Sequence, residues 1–265
     1  MRVGQPAESE LPSRRVVLLG ASNLARGLAT VIPAAQAAWG QPLDILAALG
    51  HGRGYARVSR VFGRVLPPIV ECGLWQTLTE RPSAPTAVLL TDIGNDLVLG
   101  ASPDSVVESV ESCLARLTNL SQQVALTELP LASLEQLGPH RYRLLRAVFF
   151  PRSRLGFEQA WEYTTRVNQQ VKLLAEKFGA VSIVPRSEWF GFDPIHIRRS
   201  VQAAAWQEIF SRWSITEQCS SDRSTRLSGW YLHFLRPHYR KWFGFEQHQA
   251  QPAAFLRDGS ALSLF

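Results

Sequence analysis

Short apolar runs alternate with longer helical patterns along the first 213 residues of the chain. A continuous apolar run is typical of a strand that is covered on both faces. Five such runs predict strands, at residues 16–19, 43–49, 86–91, 124–129 and 181–184. Helical patterns lie between them, near residues 24–39, from the glycines at 50–54 to about 78, and at 103–120, 156–177 and 197–213. This alternation predicts a three-layer α/β/α fold with a five-stranded parallel, doubly wound (flavodoxin-like) sheet.

The pattern changes in the last fifth of the chain. Residues 214–229 are polar and rich in serine, which indicates a loop or linker. Residues 230–265 are dense in aromatic residues and arginine, and a segment of this length is too short to build its own core. We therefore expect an N-terminal tail over 1–14, a main domain over 15–213, and a C-terminal extension over 230–265 that packs back on the main domain.

The composition is that of a folded domain. Hydrophobic residues make up 46% of the chain and charged residues 19%, which excludes wholesale disorder and coiled coil. Every apolar run is shorter than the ~20 residues that a membrane span needs, and residues 1–15 lack the apolar segment of a signal peptide, so we expect a cytoplasmic protein. Cys72, Cys113 and Cys219 are odd in number and widely spaced, so they predict neither a disulfide framework nor a zinc site. We expect no metal and no cofactor.

The charge balance is basic. The formal net charge is +6, and 25 of the 28 basic residues are arginine. A preference for arginine over lysine often reflects genome composition, although a basic surface also suits an acidic partner or an anionic substrate.

Glycine and polar residues follow four of the predicted strands, at the point where each strand ends. The clusters lie at residues 20–23, 50–54, 92–96 and 189–196. In a doubly wound parallel sheet the carboxyl ends of the strands form the edge where ligands bind, so we expect the four clusters to meet there.

These clusters hold the groups that acyl transfer requires. Ser22 stands at a strand-to-helix turn, where its Oγ would be exposed as a nucleophile. His196 could remove the hydroxyl proton, and Asp193, three residues earlier, could orient the imidazole. The N–H groups of Ser22 and Gly52 and the side-chain amide of Asn95 are candidate donors for an oxyanion hole. A glycine lets its N–H face a substrate without a Cβ in the way.

The clusters also carry a family resemblance. Gly20-Ala21-Ser22-Asn23, Gly52-Arg53, Gly94-Asn95-Asp96 and Asp193-Pro194-Ile195-His196, in this order, resemble the four sequence blocks of the SGNH/GDSL hydrolases over about residues 15–213. The resemblance implies a serine hydrolase that cleaves a small ester, an acyl or acetyl ester and possibly one on a carbohydrate, through an acyl-enzyme.

By the same resemblance Ser22 is the nucleophile, His196 the base and Asp193 its partner, while Gly52 and Asn95 complete the oxyanion hole. The first block departs from the family at Ala21, where the family usually has aspartate. That aspartate is not the catalytic acid, so the departure weakens the resemblance to the family more than it weakens the assignment of the catalytic residues. Gly50 and Gly54 compete with Gly52 for the oxyanion position.

Each cluster alone has a plainer interpretation. Ser22 could be a helix N-cap, residues 94–96 a turn, and Asp193 the start of a helix. Their joint order, each behind the expected strand, favours catalysis. A dinucleotide-binding fold is the nearest competing motif, but Leu24 and Arg26 stand where its later glycines should be.

Three further residues are candidates for substrate binding. Arg53 is followed by arginines at residues 57, 60 and 64, a helical spacing that predicts one helix face, which is either solvated or lets Arg53 bind an anionic substrate group. His51 could line the pocket or lie in a solvated turn. Trp189 could wall an acyl or sugar pocket or pack in the core.

The C-terminal extension supports a second class of function. Basic and aromatic residues alternate between residues 236 and 243, as in segments that bind nucleic acid or a membrane surface without sequence preference. The alternative is therefore a nucleic-acid or membrane-surface binding protein on a catalytically idle hydrolase fold. We favour a cap over the main domain or a homodimer contact, with a small-molecule ester as the partner and no nucleic acid.

Overall fold

The structure, a computed structural model, describes residues 12–151, 153–213 and 229–265. The strands are β1 (Arg15–Leu19), β2 (Asp44–Ala48), β3 (Ser59–Val61), β4 (Arg64–Leu66), β5 (Thr86–Leu90), β6 (Gln123–Thr127), β7 (Val181–Ile183), β8 (Tyr239–Trp242), β9 (Phe245–His248), β10 (Ala254–Phe255) and β11 (Ala261–Leu264). The helices are α1 (Ser22–Trp39), α2 (Leu74–Glu80), α3 (Asn95–Val98), α4 (Pro103–Leu117), α5 (Leu131–Phe149), α6 (Phe157–Lys177), α7 (Gln202–Phe210) and α8 (Gly229–Phe234). Most of the expected N-terminal tail and of the expected loop at 214–229 lies outside the described residues.

A seven-stranded, mostly parallel sheet forms the middle layer, in the order β10-β11-β2-β1-β5-β6-β7. The five predicted strands are all present, and β1 pairs in parallel with β2 on one side and with β5 on the other. The prediction of a three-layer α/β/α fold is confirmed. Because β1 has parallel neighbours on both sides, the carboxyl ends of β1, β2 and β5 lie side by side at one edge.

Burial on both faces explains why the central strands are continuous apolar runs. Val16 and Leu18 of β1 belong to the core on the side of α1 and α7. Val17 and Leu19 belong to the core on the other side, with α2, α4, α5 and α6. Successive side chains of a strand point to opposite faces, so a strand between two helical layers needs apolar residues at every position.

The sheet has seven strands where the sequence predicts five. The additional two come from the C-terminal extension, in which β11 pairs in parallel with β2 and β10 pairs antiparallel with β11. Leu262 and Ser263 of β11 are fully buried. The extension therefore covers the edge of β2, which would otherwise present unpaired N–H and C=O groups.

Three helix predictions need correction. The segment after the glycines is not one long helix but the hairpin β3–β4 followed by the short α2, because Phe62 and Gly63 turn the chain back with positive φ. Helix α5 was not predicted, and it contains a kink at Gly138. The last helix of the main domain, α7, is shorter than the predicted span of 197–213.

A second, four-stranded antiparallel sheet has the order β3-β4-β8-β9 and joins the segment after β2 to the C-terminal extension. In the described part of the chain, no helix has the length and apolar character needed to cross a membrane. Cys72 and Cys113 are buried free thiols, and Cys219 lies outside the described residues.

Candidate active site

Ser22 is the first residue of α1, three residues beyond the end of β1. The turn is tight, because a Cβ on Gly20 would lie only 2.7 Å from Cγ2 of Thr91. The N-cap residue Ala21 has φ −133° and ψ −120°, outside the helical region. The strand-to-helix turn predicted from the sequence is present, and Ser22 lies at the carboxyl edge of the sheet.

His196 and Asp193 lie in the loop before α7 and form a hydrogen-bonded chain with Ser22. Nε2 of His196 is 2.9 Å from Oγ of Ser22, and its Nδ1 is 2.5 Å from Oδ2 of Asp193. The other carboxylate oxygen of Asp193 accepts the N–H groups of Ile195 at 3.1 Å and His196 at 3.3 Å. An imidazole with its proton on Nδ1 donates to Asp193 and accepts from Ser22.

The surroundings of Asp193 keep it ionised. Burial raises its pKa, but the hydrogen bond and charge of His196 and the two main-chain N–H groups act against burial, and the net effect lowers the pKa below its usual value. The guanidinium of Arg26, one turn along α1 from Ser22, is 3.9 Å from the same carboxylate. An ionised carboxylate is the form that can hold an imidazolium.

Asn23 ties the serine turn to the histidine loop, and sequence analysis missed it. Its side-chain amide donates to Oδ1 of Asp92 at 2.7 Å and to the carbonyl of Ile195 at 2.9 Å. Its side-chain oxygen accepts the N–H of Ile197 at 2.8 Å. The main chain on both sides of His196 is therefore bonded to the residue that follows Ser22.

Asp92 directly follows Thr91 at the end of β5 and caps α1. Its Oδ2 accepts the N–H of Ala21 at 2.9 Å and that of Asn23 at 3.0 Å. The N–H of Ser22, between these two, has no acceptor among the described residues. Asp92 has φ +57°, a conformation that aspartate tolerates better than most residues. The sequence does show an aspartate at the end of a strand, but it does not indicate that this aspartate binds the N–H groups of Ala21 and Asn23.

Asn95 and Asp96, at the start of α3, hold the loop that contains the expected oxyanion glycine. The side-chain amide of Asn95 donates to the carbonyl of Arg53 at 3.0 Å. The buried carboxylate of Asp96 accepts the N–H groups of Tyr55 at 2.6 Å, Ala56 at 3.0 Å and Arg57 at 2.8 Å. Burial raises the pKa of Asp96, and these hydrogen bonds offset only part of the effect.

The structure contradicts the expected role of Arg53 in substrate binding. Its side chain is 0% exposed, and its guanidinium donates to the main-chain oxygens of Leu49 and Phe265. The arginines at 53, 57, 60 and 64 also share no helix, since residues 53–58 form an irregular loop and β3 follows. Arg53 therefore anchors the C-terminal strand and cannot reach a ligand.

A cavity of about 150 Å³ opens beside Ser22. Ser22, Asn95 and Trp189 line it, whereas Gly52, His51 and Arg53 do not. The rest of the wall is mostly apolar and comes from the ends of β5 and β6, from α3, α5 and α6 and from the histidine loop. It includes Leu97, Leu129, Leu134, Tyr142, Phe150, Leu155, Ala160, Phe190 and Ile197. Trp189 lines the cavity and also packs in the core, so both of its predicted positions hold, while His51 is exposed on the neighbouring loop.

Helix α5, missed in the sequence, forms one side of this site. Phe149 at its end packs edge-on against the ring of His196, with 5.7 Å between ring centroids. Asn168 of α6 fixes the chain that leads into α5, because its side chain bonds both the N–H and the carbonyl of Leu129 at 2.8 and 3.0 Å. Among the described residues, no group of His, Cys, Asp and Glu side chains has the arrangement of a metal site.

The architecture and topology define a three-layer α/β/α protein with a mostly parallel central sheet. A solved structure superposes on it with a TM-score of 0.52 and 12% sequence identity, over 76% of this chain and 96% of that chain.

Two named structures are similar at a lower level. A member of the lipolytic protein G-D-S-L family from Veillonella parvula DSM 2008 has a TM-score of 0.47 and 12% identity, over 75% of this chain and 99% of that chain. The psychrotrophic esterase EstA from Pseudoalteromonas sp. has a TM-score of 0.46 and 12% identity, over 76% of this chain and 96% of that chain. No protein-family model and no curated protein matches the sequence. Since one fold supports many reactions, the geometry and chemistry of the site decide which reaction is proposed.

Proposed function

We propose that the protein is a serine hydrolase that cleaves a small ester with an apolar acyl group through an acyl-enzyme. The observation that carries this proposal is the continuous chain from Ser22 through His196 to Asp193, at 2.9 and 2.5 Å, beside a mostly apolar cavity. A hydroxyl bonded to an imidazole, which is bonded in turn to a carboxylate, is the arrangement that activates a serine for attack on a carbonyl.

In the proposed first step, Nε2 of His196 takes the hydroxyl proton while Oγ of Ser22 forms a bond to the ester carbonyl carbon. The tetrahedral intermediate collapses, its C–O bond to the alcohol breaks, and His196 returns the proton to the leaving oxygen. A water molecule then attacks the acyl-enzyme with His196 as base, and the acid is released with Ser22 restored. Asp193 holds the imidazole in the required tautomer and stabilises the imidazolium in both halves of the reaction.

Three donors are proposed for the negative charge on the intermediate. The N–H of Ser22 lacks an acceptor within the described chain, because Asp92 takes the N–H groups on either side of it. The amide of Asn95 has a second proton besides the one that it gives to Arg53. Donors already in position stabilise the oxyanion without reorganisation.

For the third donor we retain Gly52 over its neighbours. Gly52 is half-buried and has φ +65°, a conformation that favours glycine. Gly50 and Gly54 are buried, and Gly54 packs against Asp96 so closely that a Cβ there would lie 2.3 Å from a carboxylate oxygen. Of the three glycines, Gly52 is thus the one that is partly exposed, next to but outside the wall of the cavity beside Ser22.

The cavity indicates the kind of acyl group. An apolar cavity of this volume is large enough for a benzene-sized group, well beyond the methyl of an acetate. We therefore propose an apolar acyl chain as the preferred acyl group. The alcohol part of the ester, which a carbohydrate could supply, would face the open side of the cavity. The proposed chemistry assigns every proton transfer to side chains of this protein, so it calls for no cofactor. We also propose a cytoplasmic location.

Labelling with a fluorophosphonate probe tests the proposal, because such probes phosphonylate an activated serine. We expect covalent modification of the intact protein at Ser22, found by peptide mapping, together with hydrolysis of p-nitrophenyl esters. Ser22→Ala should lose both, whereas Ser109→Ala, a remote serine on α4, should keep both. Modification at another residue, or none on a protein that hydrolyses no ester, would remove the proposal.

A further inference from the structure

Two hairpins stand side by side in the second sheet. Strand β4 pairs antiparallel with β8, with Arg64 opposite Trp242 and Val65 opposite Lys241. The two hairpin turns are in contact, because the N–H of Phe243 donates to the carbonyl of Gly63 at 2.8 Å. The turn after β3 and the turn after β8 therefore form one tip.

Both turns have the same unusual sequence, phenylalanine followed by glycine. Phe62 and Gly63 have φ +48° and +74°, and Phe243 and Gly244 have φ +47° and +88°. Two-residue turns with positive φ at both positions favour Asn-Gly or Asp-Gly, and a bulky residue is strained at the first position. The phenylalanines gain no burial in return, since Phe62 is 91% exposed and Phe243 67% exposed. The Phe243 ring lies against Gly63 and Trp242, but these contacts leave most of both phenylalanine rings in solvent.

More aromatic side chains surround the turns. Phe245 is 76% exposed and Trp242 is 37% exposed, and with Phe62 and Phe243 they make up what we call the aromatic tip. An exposed apolar cluster of this kind marks a site of interaction, whereas single exposed apolar residues are ordinary.

Basic residues flank the aromatic tip. The two hairpins, residues 59–66 and 239–248, carry four basic residues, Arg60, Arg64, Arg240 and Lys241, and a single carboxylate, Glu246. Glu246 is paired with Lys241 at 2.9 Å, and the guanidinium of Arg240 lies 5.1 Å from the centre of the Trp242 ring. The surface next to the exposed rings is therefore positively charged.

We propose that the aromatic tip docks the protein on a membrane surface that contains anionic lipid. The phenylalanine rings enter the boundary between headgroups and acyl chains, and the arginines and the lysine bind the headgroups. The geometry favours a membrane over nucleic acid, because stacking on bases uses aromatic rings on a sheet face or along a groove. Here the most exposed rings project from turns at the end of the sheet.

The tip belongs to the same edge of the fold as Ser22. Strand β3 rests on the loop after β2, since a Cβ on Gly52 would lie 2.7 Å from Cγ2 of Val61. Docking would hold this edge close to a bilayer, a source of esters with apolar acyl chains. The idea that docking supplies Ser22 with such esters rests on the proposed hydrolase function, whereas the docking proposal itself does not.

Sedimentation with vesicles tests the proposal on the full chain. We expect binding to vesicles of phosphatidylcholine with phosphatidylserine, weaker binding to phosphatidylcholine alone, and a loss of binding at high salt. The double variant Phe62→Asn and Phe243→Asn has the Asn-Gly sequence that these turns favour, so it should fold at least as well. Its partition onto vesicles should fall at least ~10-fold, since two large apolar side chains are removed.

The control variant Leu173→Gln removes an apolar side chain that is exposed on α6 and should bind vesicles like the wild type. Hydrolysis of a soluble p-nitrophenyl ester should be the same in all three proteins, so failure of docking and failure of the hydrolase proposal are read separately. Docking is refuted if the wild type does not sediment with anionic vesicles, or if the double variant sediments equally well. Two other results would also refute membrane docking, provided that vesicle binding is unchanged in the double variant. One is that the variant loses binding to an oligonucleotide, and the other is that it loses self-association in analytical ultracentrifugation.

Discussion

The side chain of Asn23 is bonded to Asp92 over 2.7 Å and at the same time to the main chain before and after His196. Asp92 is itself anchored to the N–H groups at the start of α1. The position of the imidazole relative to Ser22 is thus set by a residue that touches neither reacting atom. Asn23 is a positioning residue in the proposed mechanism.

We predict that Asn23→Ala lowers kcat by ~10–100-fold, because the hydrogen bond to the Asp92 carboxylate and both bonds to the histidine loop are lost. KM for a p-nitrophenyl ester should change little, since the apolar side chains of the cavity wall are kept. The matched control is Asn119→Ala, at an exposed position beyond α4, which should leave kcat and the melting temperature unchanged. An Asn23→Ala enzyme with wild-type kcat would show that the loop holds His196 without this side chain.

A second prediction concerns Asp193. Asp193→Asn should keep the fold, because Asn can still accept the N–H groups of Ile195 and His196, but it should lower kcat at least ~100-fold by favouring the wrong imidazole tautomer. Steady-state kinetics together with far-UV circular dichroism separate the two effects. A folded variant with full activity would leave Ser22 and His196 as a dyad.

The same carboxylate has a predicted effect on stability against pH. Its pKa is lower in the folded protein than in the unfolded chain, where it is ~3.9, so the unfolded state binds more protons at acid pH. The contribution of Asp193 to the free energy of unfolding is therefore present above about pH 5 and is lost as the pH falls through the folded pKa. The stability difference between the wild type and Asp193→Asn, measured by urea denaturation, should shrink from pH 6 to pH 3. A difference that is constant or grows would contradict the lowered pKa.

The central parallel strands could be predicted from the sequence because they are buried on both faces. In β1 and β2 every residue is buried, and after Arg15 and Asp44, which pair with each other, the residues are all apolar, unlike those of a one-sided strand or a surface helix. The expected convergence of the strand ends then followed from topology alone. The same reasoning brought Ser22, Asn95 and Trp189 to one cavity.

The missed elements have patterns that depend on distant partners. Arginines at 57, 60 and 64 have the spacing of a helix face, although Phe62-Gly63 is the turn of the β3–β4 hairpin, whose partner strand β8 is far away in the sequence. Helix α5 is interrupted by Gly138, which hides its length. Strand β11 pairs with a strand more than two hundred residues earlier, and no local pattern indicates that pairing. Arg53 was misplaced for the same reason, since its partner Phe265 is at the far end of the extension.

A fourth prediction tests how closely the loop after β2 packs on Asp96. In Gly54→Ala the new Cβ would lie 2.3 Å from Oδ1 of Asp96, so the carboxylate or the loop must move. We expect a loss of ~1–3 kcal/mol in the free energy of unfolding and a fall in kcat of ~10–100-fold, because Asn95 bonds the same loop. Gly156→Ala is the control: its Cβ would meet no atom within 4 Å, and both quantities should stay near those of the wild type.

The last prediction concerns the acyl group. Ala160 of α6 lines the cavity and is 4% exposed, so Ala160→Leu should fill part of the space proposed for the acyl chain. The ratio of kcat/KM for p-nitrophenyl octanoate to that for the acetate should exceed one in the wild type and fall at least ~10-fold in the variant, since the added carbons displace substrate methylenes. The acetate is the internal control, because its methyl group does not reach the filled region, and Ala115→Leu on the exposed side of α4 should keep the wild-type ratio. A lower kcat/KM for both esters would indicate a distorted site, and an unchanged ratio would show that the acyl chain binds elsewhere.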